Sequence, residues 1–582
     1  MMRLVRTFCL AAAVSLMASC HSPKDGEYHF HILTTNDIHG AYFDSTYVDN
    51  SIRPSMFAVS EAVDSIRSQY GKENVILIDD GDFLQGDNAA FYFNYIDTKS
   101  DHIFPRLVKY MGYDAVVAGN HDIEAGHDVY DRIHDDFKKA GIPFLGGNIL
   151  RNEDNKPYFP YYTTITRQGV KIAILGYDNA NIAAWLDEER WKGMHFESLI
   201  PLVQEGVDKV IATEKPQVVI VAVHSGKGEG DGTVLENQGM DLFNSLKGVQ
   251  VLVCGHDHKP YFKTSRECAM INTGSRCTNL GHVSLDLRIE NRKVVQTDLE
   301  AGLIPVKASE VNTEMKETFY QDYLKVKDFT LTEVGELRNG MDLKDSFIGM
   351  SEYLNLISTV CLKASGAQIA IVAPLSKGGT IEAGKVSNND LFKLYQYENE
   401  LFVASMTGKE IKNYLEYSYD LWINTVSSPD DHVLNIANEK DERKDVERWE
   451  FRNPTFNFDS MSGLFYTVDV TKPFGERVNI SSLADGKAFS LDANYTVALT
   501  SYRASGGGGL LSGAGIDEDS FTGRISAKLP EIRSLMRDYL LENGSVGTED
   551  YSDPALLGHW EFIPEDTVHP RIEEDLMLVF GR

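Results

Sequence analysis

Side chains able to hold a divalent ion recur along the first half of the chain, each just beyond a short apolar run. Asp37 and His39 follow "YHFHILTT" (28–35) in "NDIHG", and Asp82 follows "NVILID" (74–79) in "DGDFLQGD", with Asp80 beside it. Asn120 and His121 follow "YDAVVAG" (113–119), His224 follows "PQVVIVAV" (216–223), and His256 and His258 follow "VQVLVCG" (249–255) in "GHDH". One histidine after a strand is usually a hydrogen-bonded structural residue. Polar donors after every one of these runs are another matter, because chance would scatter them over both ends. Oxygen and imidazole donors without thiolates suit Mn, Zn, Co or Fe(II). Asp37, His39, Asp82, Asn120, His224, His256 and His258 together exceed what one ion takes, so a pair of ions sharing a carboxylate is the economical reading.

The elements that must place these groups are legible in the same runs. Near-continuous β-branched stretches, including "VKIAILG" (170–176), indicate strands covered on both faces. Between them "MFAVSEAVDSIRSQYG" and "LIPLVQEGVDKVIATEK" space apolar residues as amphipathic helices do. This predicts a layered α/β domain over residues 25–305, with the polar groups at the carboxyl edge of its strands, where α/β sheets bind ligands. A polar helix capped by Ser309 is expected over 309–329, connecting (306–329) to a second α/β or α+β domain over 330–582. There a helix near 346–365, a strand at 367–373, a helix near 407–418 and a strand running into "SYRASGGGG" are expected, and the acidic stretch 430–447 reads as a solvated insertion.

At 582 residues the chain exceeds one hydrophobic core, and a net charge of −30 excludes a nucleic-acid polymer as partner. A small anion remains possible where bound metal cancels its charge. Arg3 and Arg6, the apolar "FCLAAAVSLMA" and the terminal "MASC" form a targeting segment. Residues 1–19 resemble a bacterial lipoprotein signal, cut so that Cys20 carries lipid; an ordinary secretory signal is the alternative. The protein is expected to be exported and to meet a membrane only through that anchor. Cys254, Cys268, Cys277 and Cys361 read as core residues, with a Cys268–Cys277 pair possible.

The order D-x-H, G-D, G-N-H, H-x-G and G-H-x-H resembles that of the calcineurin-like metallophosphoesterases. "TNDIHG", "DDGDFLQGD", "GNHDIE", "HSGKGEG" and "GHDH" together resemble the bacterial 5′-nucleotidase family, which includes UDP-sugar hydrolases and 2′,3′-cyclic-nucleotide phosphodiesterases. The resemblance implies a layered α-β-β-α metallophosphoesterase domain followed by a substrate-recognition domain. It implies that Asp37, His39 and His258 hold one ion and Asn120, His224 and His256 another, with Asp82 bridging and Asp80 structural. His121 would contact the scissile phosphate as acid or transition-state stabiliser. Glu124, three residues on, would hold its ring. Asp122 and Asp128 are expected to be solvated acids at helix starts.

Relatives bind the nucleoside between aromatic rings of the second domain. By position Tyr397 and Asn399 of "YQYENEL" (395–401) and Tyr502 of "TSYRASGGGG" (500–509) are the candidates, with core packing the alternative for the tyrosines. Lys377 of "SKGGTI" (376–381) and Arg503 would supply phosphate contacts, and Gly508 stands where the family has an aspartate. The implied function is hydrolysis of nucleoside monophosphates outside the cytoplasm. UDP-sugar or 2′,3′-cyclic-nucleotide hydrolysis is the alternative, and a non-catalytic nucleotide-binding lipoprotein a third possibility.

Overall fold

The structure, a computed structural model, describes residues 23–581 apart from 376–377, 398, 429 and 442–445. The targeting segment and Cys20 therefore lie outside the described residues. The chain divides into two compact units, the first ending at Asp328 and the second beginning at Phe329, with Ala184–Asp187 grouped with the second.

The first unit contains two six-stranded sheets. One orders its strands Lys293–Pro305, Asn279–Glu290, Gly26–Thr35, Val75–Asp79, Ala115–Val117 and Phe144–Leu145. The other runs Pro260–Thr264, Ala269–Thr273, Val251–Cys254, Val218–Val223, Val170–Tyr177 and Tyr162–Arg167. The ligand-bearing strands pair in parallel, in registers such as Leu33 with Leu77 and Ala222 with Val253. Their side chains alternate between two cores. Phe30, Ile32, Ile76 and Ile78 meet Ile172, Ile174, Ile220 and Val251 between the sheets. Leu175, Val221 and Leu252 point the other way, onto Leu199, Val203 and Val207 of the helix Leu199–Glu214. Burial on both faces explains the near-continuous apolar runs, each buried aliphatic side chain contributing about 1.5–3 kcal/mol.

The second unit centres on a five-stranded mixed sheet of Ser460–Ser462, Ile369–Val372, Asn494–Thr500, Glu400–Thr407 and Ile525–Glu531. Ile369, Ile371, Phe402 and Ala404 pack with Ile411, Tyr414 and Leu415 of the helix Gly408–Trp422. Ala370, Val372 and Leu401 pack with Leu354, Ile357 and Cys361 of the helix Glu352–Ser365.

Three local expectations are corrected. The cap near 309 is Asn312, whose side chain accepts from Met315 N–H at 2.9 Å, and the helix runs as Thr313–Thr318 and then Tyr320–Leu331. This segment is fastened to the first unit by Asp322, which takes both arms of Arg106 at 3.0 and 2.8 Å. The 430–447 stretch is not wholly solvated. Val433 and Leu434 are fully buried, their N–H groups donating to Asp575 at 2.8 Å, and a hairpin of Ile436–Asp441 with Val446–Phe451 follows. Cys268 and Cys277 are free, buried thiols, as are Cys254 and Cys361. Cys268 immediately precedes the strand Ala269–Thr273, and Cys277 lies in the turn that follows it.

Several histidines of the first unit are built in neutral. Burial holds the pKa of His102 well below the ordinary value, and its Nδ1 accepts from Phe104 N–H at 3.2 Å, a bond that requires the unprotonated nitrogen. Burial also lowers His31 and His282 and takes His134 down to about 4. Depressed folded-state values mean that the unfolded chain binds more protons below the ordinary histidine pKa of about 6.5. Stability present above that pH is thus lost as pH falls toward about 4. Urea midpoints should drop between pH 7 and pH 5, and His134→Phe should flatten the slope. A midpoint unchanged across that window would contradict the neutral assignment.

Candidate dinuclear metal centre

The candidate ligands gather at the carboxyl edge of both sheets. Asp37 N–H donates to Gly81 O and His39 N–H to Asp82 O, each at 2.9 Å, so the loops after the first two strands are tied together. Asn36 anchors the same loop to the second sheet, donating to Asn272 at 3.1 Å and Gly274 O at 2.8 Å and accepting from Thr273 N–H at 2.9 Å. Asp37, His39, Asp82, His256 and His258 all sit at positive φ, between 46° and 71°. For residues other than glycine that conformation costs on the order of 1–3 kcal/mol each, and such strain gathers at functional sites.

Two triads result, Asp37–His39–His258 and Asp82–His224–His256, the ligand atoms of each lying within 4.8 Å of one another. In the first, Asp37 Oδ1 lies 3.7 Å from His39 Nε2 and 3.4 Å from His258 Nε2, and those two nitrogens are 2.8 Å apart. In the second, Asp82 Oδ2 lies 3.0 Å from His224 Nε2. The same oxygen is 3.9 Å from His39 Nε2, so Asp82 faces both groups. Asn120 Oδ1, 2.9 Å from His256 Nδ1, joins the second.

Asp82 Oδ2 and His224 Nε2 are buried and, despite their proximity, not aligned for a hydrogen bond. Buried polar atoms without hydrogen-bond partners converge with the ring nitrogens of the triads, as a cation at each would require; burial works to lower the His224 pKa, but Asp82 and Asp37 outweigh it and favour positive charge at that ring. Ring orientations fit as well: His224 Nδ1–H donates to Asp80 O at 2.5 Å and His39 Nδ1–H to Gln85 O at 3.2 Å, which turns each Nε2 toward the site. Burial works against ionising Asp37 and Asp82, but His224 and its neighbours outweigh it and hold both carboxyls below the usual range. Burial and His224 take His256 down to about 4, so it is neutral. Asp80 is completely buried with neither side-chain oxygen hydrogen-bonded, and burial raises its pKa; its carbonyl group is what serves the site.

Asp122 corrects the sequence reading. Far from solvated, it is fully buried and accepts from the N–H groups of Asp82, Phe83 and Leu84 at 3.0 Å and of Gly119 at 2.9 Å. Burial and Asp82 push its pKa up to about 7 against the pull of those donors. The available signal was its place as third residue of the helix Asn120–Glu124, the acid position of a capping box. Gly119 belongs to the same arrangement, since a Cβ there would come within 2.3 Å of Asp82 Oδ1. Asp128 is exposed, as expected. Asp257 accepts from Lys227 N–H at 2.9 Å and Asn272 at 2.9 Å, a loop-bracing role.

His121 stands beside the triads, its ring centroid 5.4 Å from that of His39, and its N–H donates to Asp82 Oδ1 at 2.9 Å. Its Nδ1 is bonded to Glu124, the contact expected from the three-residue spacing. Burial would lower the imidazole pKa, but Asp82 and Glu124 together raise it to about 10.

In the second unit Lys377 lies outside the described residues. Tyr397 and Tyr502 are half-buried, and Asn399 donates to Tyr395 Oη at 3.3 Å. Arg503 has a different task from the phosphate contact expected of it. Its guanidinium is buried and donates to Asp459 at 2.8 and 3.0 Å, to Gly507 O at 2.9 Å and to Phe456 O. Gly508 also has a local reason: at φ 76° its Cβ would stand 2.3 Å from Asn457 Oδ1.

Paired sheets whose parallel edges present oxygen and imidazole ligands in two triads define a metallophosphoesterase, a phosphoester hydrolase using divalent metal ions. Residues 30–260 match the calcineurin-like phosphoesterase family and residues 330–513 the 5′-nucleotidase C-terminal domain, and the chain belongs to the 5′-nucleotidase-like nucleotide phosphoesterases that join the two. A trifunctional nucleotide phosphoesterase protein of Bacillus subtilis is 24% identical over 95% of this chain, which spans 40% of that protein's length. A 5′-nucleotidase of Vibrio vulnificus is 23% identical over 94% of this chain and 98% of its own. A 2′,3′-cyclic-nucleotide 2′-phosphodiesterase/3′-nucleotidase of Haemophilus influenzae is 22% identical over 96% of this chain and 91% of its own. Among solved structures, a putative 5′-nucleotidase from Staphylococcus aureus in complex with alpha-ketoglutarate superposes with a TM-score of 0.74 at 20% identity, covering 92% of this chain and 99% of that one.

Metal analysis of protein stripped and reloaded with Mn or Zn should give about two ions per chain, as a shared-carboxylate site requires. Asp82→Asn should hold fewer than wild type. Asp122→Ala, which touches neither triad's ligand atoms, should lower metal content too, because each backbone donor it strands costs roughly 1–3 kcal/mol. Full loading of both variants would refute the arrangement.

Proposed function

We propose that this protein is an exported 5′-nucleotidase, releasing nucleoside and phosphate from nucleoside monophosphates and tethered by lipid on Cys20. The observation that carries the reading is the pair of triads facing the His121–Glu124 couple. In it Asp37, His39 and His258 would hold one ion and Asn120, His224 and His256 the other, with Asp82 available to both. Bound ions of this kind neutralise phosphate oxygens and activate water for in-line attack. That is also how an acidic chain admits an anionic substrate.

The protein's own groups do the rest. Glu124 occupies His121 Nδ1, which leaves Nε2 as the ring nitrogen free to donate to a phosphate oxygen or the departing alkoxide. The Glu124 carboxylate bonded to the ring favours a proton on it. Tyr397 and Tyr502 would stack the base, with Asn399 a further candidate contact. Export rests on the sequence of residues 1–20; no described helix is long and apolar enough to cross a membrane.

Cleavage of 2′,3′-cyclic nucleotides is the second reading, favoured by the Haemophilus influenzae relative named for that activity. A panel of AMP, UMP, UDP-glucose, 3′-AMP and 2′,3′-cyclic AMP, run on stripped protein with Mn, Zn, Co or Fe(II) restored, separates the two. AMP turnover should require metal, and His121→Ala should lower kcat about 100-fold or more while metal content stays unchanged. Cleavage of the cyclic substrate alone would move the assignment to the second reading. No turnover with any substrate and ion would sink both.

A further inference from the structure

Three aromatic rings from separate segments of the second unit converge: Tyr397, Phe456 and Tyr502. Phe456, in the 3-10 turn Thr455–Asn457, meets Tyr397 edge-on at 6.2 Å and 76° and Tyr502 at 6.4 Å and 80°. All three are half-buried, and Phe456 and Tyr502 lie outside both core clusters of the unit. Each tyrosine plane stands roughly perpendicular to the Phe456 ring, which is the shared apolar member of the group.

The residues behind the rings are arranged to fix them. Arg503, 4% exposed, and Asp459, 2% exposed, form a buried ion pair with two bonds, at 2.8 and 3.0 Å. Such pairs are seldom a net source of stability, since apolar replacements of similar volume often do as well. What this pair does is geometric. The same guanidinium bonds Phe456 O and Gly507 O and lies 5.3 Å from the Tyr502 ring centroid. Asp459 is steadied in turn by Tyr414 Oη–H at 2.5 Å. Gly507 has no alternative, because a Cβ there would come within 2.4 Å of the Tyr502 ring. One buried network therefore sets two of the three rings.

We propose that Phe456 is the third wall of the base site formed with Tyr397 and Tyr502, and that Arg503 and Asp459 are positioning residues for that wall. The inference rests on the nucleotide reading above and narrows it. A phenyl wall offers the base edge no hydrogen bond, so the base is selected as a flat ring and AMP and UMP should be used with similar KM.

The test compares AMP, UMP and ribose 5-phosphate, which lacks the base, on the full metal-loaded chain. Phe456→Ala should raise KM for both nucleotides about tenfold, the size expected for losing an aromatic contact to a base. Its kcat and its kinetics with ribose 5-phosphate should match wild type. Arg503→Lys, which keeps charge but loses the fork, should show the same pattern more weakly. Should Phe456→Ala fold poorly, Phe456→Leu serves, with adenosine binding followed by calorimetry and a weakened Kd expected. Nucleotide KM unchanged in these variants, or ribose 5-phosphate affected equally, would overturn the wall. Wild-type turnover of ribose 5-phosphate but of no nucleoside monophosphate would instead remove the nucleotide reading itself.

Discussion

The catalytic edge of this protein hangs on one buried carboxylate. Asp122 gathers N–H groups from the loop after the Val75–Asp79 strand and from the turn after the Ala115–Val117 strand. It thereby presents Asp82, Asn120 and His121 from neighbouring strands as one surface. None of its contacts is to a candidate ligand atom. Backbone donors buried beside a cluster of acids have few other partners, and a hydrophobic residue at 122 would leave several unpaired. The sharply turned Asp82 loop can exist because Asp122 fills it.

What the sequence disclosed and what it hid divide along a physical line. Strands buried on both faces announce themselves by composition, and polar groups just beyond them can only sit at the sheet edge. The candidate ligands were therefore legible from residue type and position, while their division between two ions came only from the family resemblance. Asp122 was not, because an acid early in a helix is ordinarily solvated, and only the return of a distant loop makes this one a hub. Arg503 was misread for the same reason: an arginine beside a tyrosine suggests an anion, whereas Asp459, 44 residues away along the chain, consumes it. Phe456 left no trace at all, since its meaning lies in meeting two rings from other segments. The shift of the connector cap from Ser309 to Asn312 is a smaller matter, a choice between neighbouring polar residues that local pattern does not settle.

The left-handed backbone at Asp37, His39, Asp82, His256 and His258 shows what the edge costs. Histidine and aspartate tolerate that region better than branched residues do, yet so many together require surrounding structure that over-determines them. Asn36, Asp122 and Asp257 supply it through bonds to loop backbone and to one another's neighbours. The price is met by groups that touch no substrate.

Each triad draws from both sheets. His258 comes from the sheet opposite Asp37 and His39, and Asp82 from the sheet opposite His224 and His256. An ion at either position is consequently a cross-link through the middle of the first unit, closing the sandwich at one end as a rivet closes two plates. Bound metal would then add to the stability of the first unit as well as to its chemistry. Without its ions that end would rest on the apolar core and on a few polar ties, such as those of Asn36 to Asn272, Thr273 and Gly274 and of His224 to Asp80.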